Sequence, residues 1–97
     1  MDFTFTAPLW PWSGDAAWFF VTVPKDESDD IRDIPRMPRG FGSVKVRVTV
    51  GRSTWETSVF PDSTVGQYIL PVKKAVRTAE GIEEGDPVDV RLELIEL

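Results

Sequence analysis

Three cations crowd one short stretch of this chain: Lys73, Lys74 and Arg77, within "LPVKKAVRTAEGIEEGDPVDVRLEL" at 70–94. On a helix, Lys73 and Arg77 stand one turn apart and share a face. Such a patch suits a phosphate, a nucleic acid or an acidic partner, and a solvated face opposite an apolar stripe produces the same pattern. Arg32, Arg36 and Arg39 extend the patch if the loop at 35–42 folds toward it. A second constellation is acidic. Asp26, Glu27, Asp29, Asp30 and Asp33 have the charge to attract Mg²⁺ or Ca²⁺, but they lack the loop spacing and the glycine of a calcium hand. A run of carboxylates at the positive end of a helix explains them, so no metal ligand and no cofactor is expected. The third is aromatic. Trp10 and Trp12 flank Pro11, and with Tyr68 they are candidates for an aromatic pocket that holds a ligand or a partner peptide. Plugging one end of a barrel is the alternative use for the first two. Trp18 and Trp55 fall in apolar, strand-like runs and are expected in the core.

Other chemistries are excluded by what is missing. The 97 residues contain no His and no Cys. Disulfides, the usual structural zinc sites, and Ser-His-Asp or Cys-His nucleophile pairs are therefore out. Acid–base work would fall to Asp, Glu, Lys, Tyr and Arg. "GFGS" at 40–43 lacks the Gly-Lys-Ser/Thr of a phosphate loop and leads into a strand. No serine stands in a Gly-x-Ser-x-Gly elbow. No catalytic residue is assigned, and a non-enzymatic protein is expected. The formal net charge of −5 disfavours nucleic acid, whose affinity rests on phosphate contacts, without removing a local basic patch. No apolar run approaches the ~20 residues of a membrane-spanning helix. "MDFTFTAPLW" has neither the basic segment nor the apolar stretch of a signal peptide. A cytoplasmic protein with no membrane contact is the expectation.

The elements that must position these residues follow from periodicity. "FTFT" alternates as a half-buried strand, and "PLWPWSGD" (8–15) reads as loop. "AAWFFVTV" (16–23) is apolar enough for a strand covered on both faces. Pro24 opens a short helix whose apolar face is only Ile31 and Ile34, so it should be loosely attached. "SVKVRVTVGRSTWETSVF" (43–60) is a hairpin about Gly51-Arg52. That register sets Val48 opposite Trp55, Val46 opposite Thr57, Val44 opposite Val59 and Arg47 opposite Glu56. "PDSTVGQ" is loop and "YIL" a brief strand. A helix over 71–80 places Val72, Ala75, Val76 and Ala79 on one stripe, and Gly81 stops it with Ile82 folded back on Val76. Val88, Val90, Leu92 and Leu94 then alternate along a last strand with one wet face. The sum is one mainly β domain over 1–97, with about six strands and two short α-helices, in the pattern of a small barrel.

"FGSVKVRVTVGRSTWETSVFP", "YILPVKKAVRTAEGIEEGDPVDVRLEL" and the upstream "WFFVTVPKD" resemble a bacterial family, the domain of unknown function numbered nineteen hundred and five. The resemblance spans nearly the whole chain. It implies a double-split β-barrel and brings no catalytic residues. Ser28 departs from it, because relatives tend to place an apolar residue there, and this implies weaker docking of the first helix. A shorter stretch, residues 70–94, is similar to the Pro-helix-Gly-Asp-strand pattern of AbrB-like and MazE-like DNA-binding barrels. The expected function is a non-enzymatic binding or interaction module with an unknown partner, a homodimer being open because edge strands in so short a chain invite pairing. The alternatives are an AbrB-like DNA-binding barrel using the basic helix face and a ligand-binding barrel with an aromatic-lined pocket.

Overall fold

The computed structural model describes residues 2–13, 18–34 and 42–95. Its elements in chain order are β1 (Asp2–Pro8), β2 (Trp10–Pro11), β3 (Phe19–Thr22), α1 (Lys25–Asp33), β4 (Val44–Val50), β5 (Ser53–Asp62), β6 (Gln67–Pro71), α2 (Lys74–Glu80) and β7 (Pro87–Leu94). The seven strands form one antiparallel sheet in the order β1-β7-β4-β5-β6-β3-β2, curled into a half-barrel.

The curl depends on two segments that each serve two neighbours. β5 pairs with β4 from Ser53 to Val59, then with β6 through Phe60, Pro61 and Asp62. The N-terminal segment runs along β7 as β1 and along β3 as β2. Leu9 is the joint between them: its N–H donates to the Asp86 carbonyl (3.0 Å) and its carbonyl accepts from the Gly85 N–H (2.8 Å). Both ends of the sheet are thus consecutive pieces of one segment, and the Leu9 side chain is buried in the core. The expectation of loop over 8–15 missed this short strand, which accounts for the seventh. Two prolines and a glycine signal loop locally, whereas the pairing of Trp10 with Phe20 is a long-range event.

The core is built from alternation. Val44, Val46, Val48 and Val50 of β4 and Val88, Val90, Leu92 and Leu94 of β7 point inward, with Lys45, Arg47, Asp89 and Arg91 outward. The hairpin has the expected register, Val48 opposite Trp55 and Arg47 opposite Glu56. β7 adds a partner on the other side, so that Val48 also faces Leu92 and Arg47 faces Glu93. Phe3, Phe5 and Ala7 cover the same core from β1.

Two helix expectations need correction. α1 is firmly held. Ser28 is fully buried, its Oγ donating to the Val23 carbonyl (2.9 Å) and accepting the Tyr68 backbone N–H (3.0 Å). The hydroxyl docks the helix by hydrogen bonds where an apolar residue would dock it by contact. Ile31 lies beside it, also fully buried. The second helix starts at Lys74, three residues after the expected Pro71. Pro71 still belongs to β6, opposite Phe20, and the Val72 N–H donates to the Phe19 carbonyl (2.9 Å), which keeps the chain extended to Lys73. The late start narrows the buried stripe: Val72 and Val76 are buried, while Ala75 and Ala79 face solvent. The stop is as expected. Gly81 adopts φ 64°, Ile82 N–H reaches the Arg77 carbonyl (2.9 Å), and Ile82 packs against the core.

Candidate functional site: a groove at the start of the second helix

The strand-to-helix passage at 71–74 opens a groove between β3, β5 and the first residue of α2. It has a volume of about 490 Å³ and is lined by Trp18, Phe19, Trp55, Glu56, Thr57, Pro71, Val72, Lys73 and Lys74. Its walls follow from strand parity. Trp55 lies on the inward face of β5 beyond Val59 and Thr57, near the open end of the half-barrel, so it packs on the core yet stays half-exposed. Phe19 is the first residue of β3 and sits at the same end. Val72 closes the floor.

Charge in the groove is unbalanced. Lys73 and Lys74 are exposed, and neither side-chain ammonium makes a hydrogen bond or ion pair among the described residues. Glu56, the acid of the groove, is already engaged: Arg47 Nη2 contacts it at 3.2 Å, while Arg47 Nη1 binds Glu93 at 2.8 Å. Hydrogen bonds to Glu93 and Glu56, the former the larger cause, raise the Arg47 guanidinium above the usual arginine range. At the β1 edge of the sheet, the hydrogen bond from Arg91 draws the Asp2 carboxyl below its ordinary value of 3.8.

The expected basic patch is divided. Lys73 precedes the helix, and Arg77 is half-buried and engaged: its Nε donates to the Val72 carbonyl (3.1 Å) and its guanidinium lies 4.2 Å from the centre of the Phe19 ring. Arg77 thereby holds the back of the groove in place. Arg32 serves α1, pairing with Asp29 (2.9 Å) and donating to the Gly66 carbonyl (2.9 Å), while Arg36 and Arg39 lie outside the described residues. Among the described residues no group of three or more acidic side chains is arranged to hold a metal ion, and Asp29 of the acidic run is shared by Lys25 and Arg32.

The expected aromatic pocket of Trp10, Trp12 and Tyr68 does not assemble. Tyr68 is only 3% exposed and belongs to the core. Its neighbour Ile69 takes the other face of β6, opposite Thr22 and Phe60. Trp10 lies on that outer face, stacked on Phe20 at 5.2 Å with its Nε1 donating to Thr22 Oγ1 (2.9 Å). Trp12 joins the same ring at 5.8 Å. Trp18, expected in the core, is instead 54% exposed and stacks on Phe20 at 6.3 Å, because its N-terminal position relative to β3 carries it past the sheet. Three tryptophans thus surround one phenylalanine on the outer surface, and Trp18 continues this cluster into the groove. Sequence reasoning missed Phe19 and Trp55 as groove walls. The position of Trp55 opposite Val48, at the inner face of a long strand, was the available signal.

A second depression of about 520 Å³ lies over β1, β4 and β7, lined by Thr4, Thr6, Thr49, Asp89 and Arg91 among others. It is the wet face of the sheet, and its charges are committed locally: Asp89 accepts from Thr6 Oγ1 and Arg91 pairs with Asp2. Its described lining has no unpaired cation and no tryptophan, so the groove at 71–74 is the stronger candidate. No helix among the described residues is long and apolar enough to cross a membrane.

No curated protein matches the chain. One family model does, "Domain of unknown function (DUF1905)", and it covers residues 5–92, which includes every wall of the groove and both tryptophan-bearing strands. With that coverage, the curled seven-stranded sheet and its two short helices are those of a member of the DUF1905 family, to which this chain belongs.

Proposed function

We propose that this protein is a non-enzymatic binding module whose ligand seat is the groove at 71–74. The observation that carries the reading is the pairing of apolar walls with two uncommitted lysines, in a cleft within the ~300–1,000 Å³ range of small-molecule sites. Support for the non-enzymatic part is chemical. The chain has no His or Cys. The groove's carboxylate is held by Arg47, so it is poorly placed to abstract a proton. The nucleic-acid alternative keeps only Lys73 and Lys74 as free cations of its helix patch, since Arg77 is engaged by Phe19 and Val72. The same reading takes the chain to be a bacterial, cytoplasmic double-split barrel. It leaves self-association through β1, the terminal strand of the sheet, as the route to a homodimer.

Heteronuclear NMR with a mixed library of small fragments tests the proposal. Shifts should cluster on the indole N–H groups of Trp18 and Trp55 and on the amides of 72–74. Shifts scattered over the surface, or robust turnover on a broad substrate panel that one point mutation abolishes, would overturn it.

A further inference from the structure

We infer that the groove selects a planar aromatic anion: a flat ring carrying a carboxylate or a phosphate. This rests on the binding reading above and names the ligand class. Trp18, Phe19 and Trp55 contribute three ring systems to one cleft, and such walls favour flat partners through offset or edge-to-face stacking. Two of them are set before any ligand arrives. Trp18 lies nearly parallel to Phe20, at 13°, and Phe19 is backed by the Arg77 guanidinium. At the rim, the side chains of Lys73 and Lys74 stand on adjacent residues with no internal partner among the described residues, while Arg47 occupies Glu56, the acid of the lining. In a chain of net charge −5, two unpaired ammonium groups on neighbouring residues beside aromatic walls form a local reversal of sign. A neutral ring would leave that charge unused, and an aliphatic anion would leave the rings unused. Thr57 adds a hydroxyl on the β5 side.

The test uses the full chain and three probes: naphthoate, adenosine monophosphate, and naphthamide as the neutral isostere. NMR titration follows the Trp18 and Trp55 indole signals. At least one anion should saturate these shifts, and whichever does so distinguishes a carboxylate from a nucleotide source. Naphthamide should bind about tenfold more weakly than the better anion, and the double substitution Lys73→Ala, Lys74→Ala should weaken that anion by about tenfold or more, as expected for losing hydrogen bonds to charged groups. Both lysines lie outside the core, so the remaining spectrum of the variant should be unchanged. Equal binding of naphthamide, or an anion affinity indifferent to the double substitution, would overturn the anion preference while the groove remains a binding site. No shift from any of the three probes would overturn the proposal, and the fragment map described above would then decide separately whether the groove binds at all.

Discussion

Ser28 shows how one polar atom can decide whether an element is attached. Its hydroxyl sits where no water reaches, and both of its hydrogen-bonding roles are used, one toward the end of β3 and one toward β6. Removing it withdraws a partner from a buried backbone N–H, the costlier half of a hydrogen-bond loss. Ser28→Ala should therefore destabilise the fold by about 1–3 kcal/mol in a urea titration followed by tryptophan fluorescence. A change within experimental scatter would mean that contacts other than Ser28, such as Ile31 and the Arg32 bond to the Gly66 carbonyl, hold the helix. Arg77 is a second case. As one cation among three it reads as surface charge; its ring contact and its bond to the Val72 carbonyl make it a brace.

At the scale of elements, turns and stops divide into those that need only a backbone angle and those that also need space. Gly51 in the β4–β5 turn and Gly81 after α2 both have positive φ, 58° and 64°. A β carbon at Gly81 would meet nothing nearby, so Gly81→Ala should carry only the left-handed penalty, about 1–2 kcal/mol. At Gly51 the added carbon would also overlap the Glu80 carboxylate, which accepts a hydrogen bond from Ser53 (2.7 Å) and so ties the end of α2 to the hairpin. Gly51→Ala should destabilise more than Gly81→Ala by thermal unfolding, and the reverse order would place the Glu80 side chain elsewhere. The late start of α2 belongs to this scale too. A proline followed by a helical stripe is locally consistent with a helix from Pro71, but the strand pairing of Pro71 with Phe20 outcompetes it and creates the groove.

For the whole molecule, the decisive residue is Leu9. It separates β1 from β2, fills the core at 1% exposure, and is bonded through its backbone to the turn before β7. Leu9→Ala should cost about 2–5 kcal/mol, the range for truncating a buried leucine. Because it also loosens the joint between the two sheet ends, hydrogen exchange should accelerate in both β2 and β3. Faster exchange confined to β1 would argue that the two ends hold independently. The groove borders this closure, since the Trp12 N–H just past β2 donates to the carbonyl of Trp18, one of the groove's walls (2.8 Å).

Period-two alternation in "VKVRVTV" and "VDVRLEL", the charge match of Arg47 with Glu56, and the Gly81-Ile82 stop were legible in the chain alone, because each rests on residues close in sequence or on one pleat. So was the exclusion of His- and Cys-based chemistry, a matter of composition. Other features were not legible: the burial of Tyr68 away from Trp10, the exposure of Trp18, the division of Lys73 and Lys74 from Arg77, and the second life of the N-terminal segment as β2. Each depends on which distant strand lies alongside. Side-chain type sets what a face prefers, and long-range pairing sets which face that is.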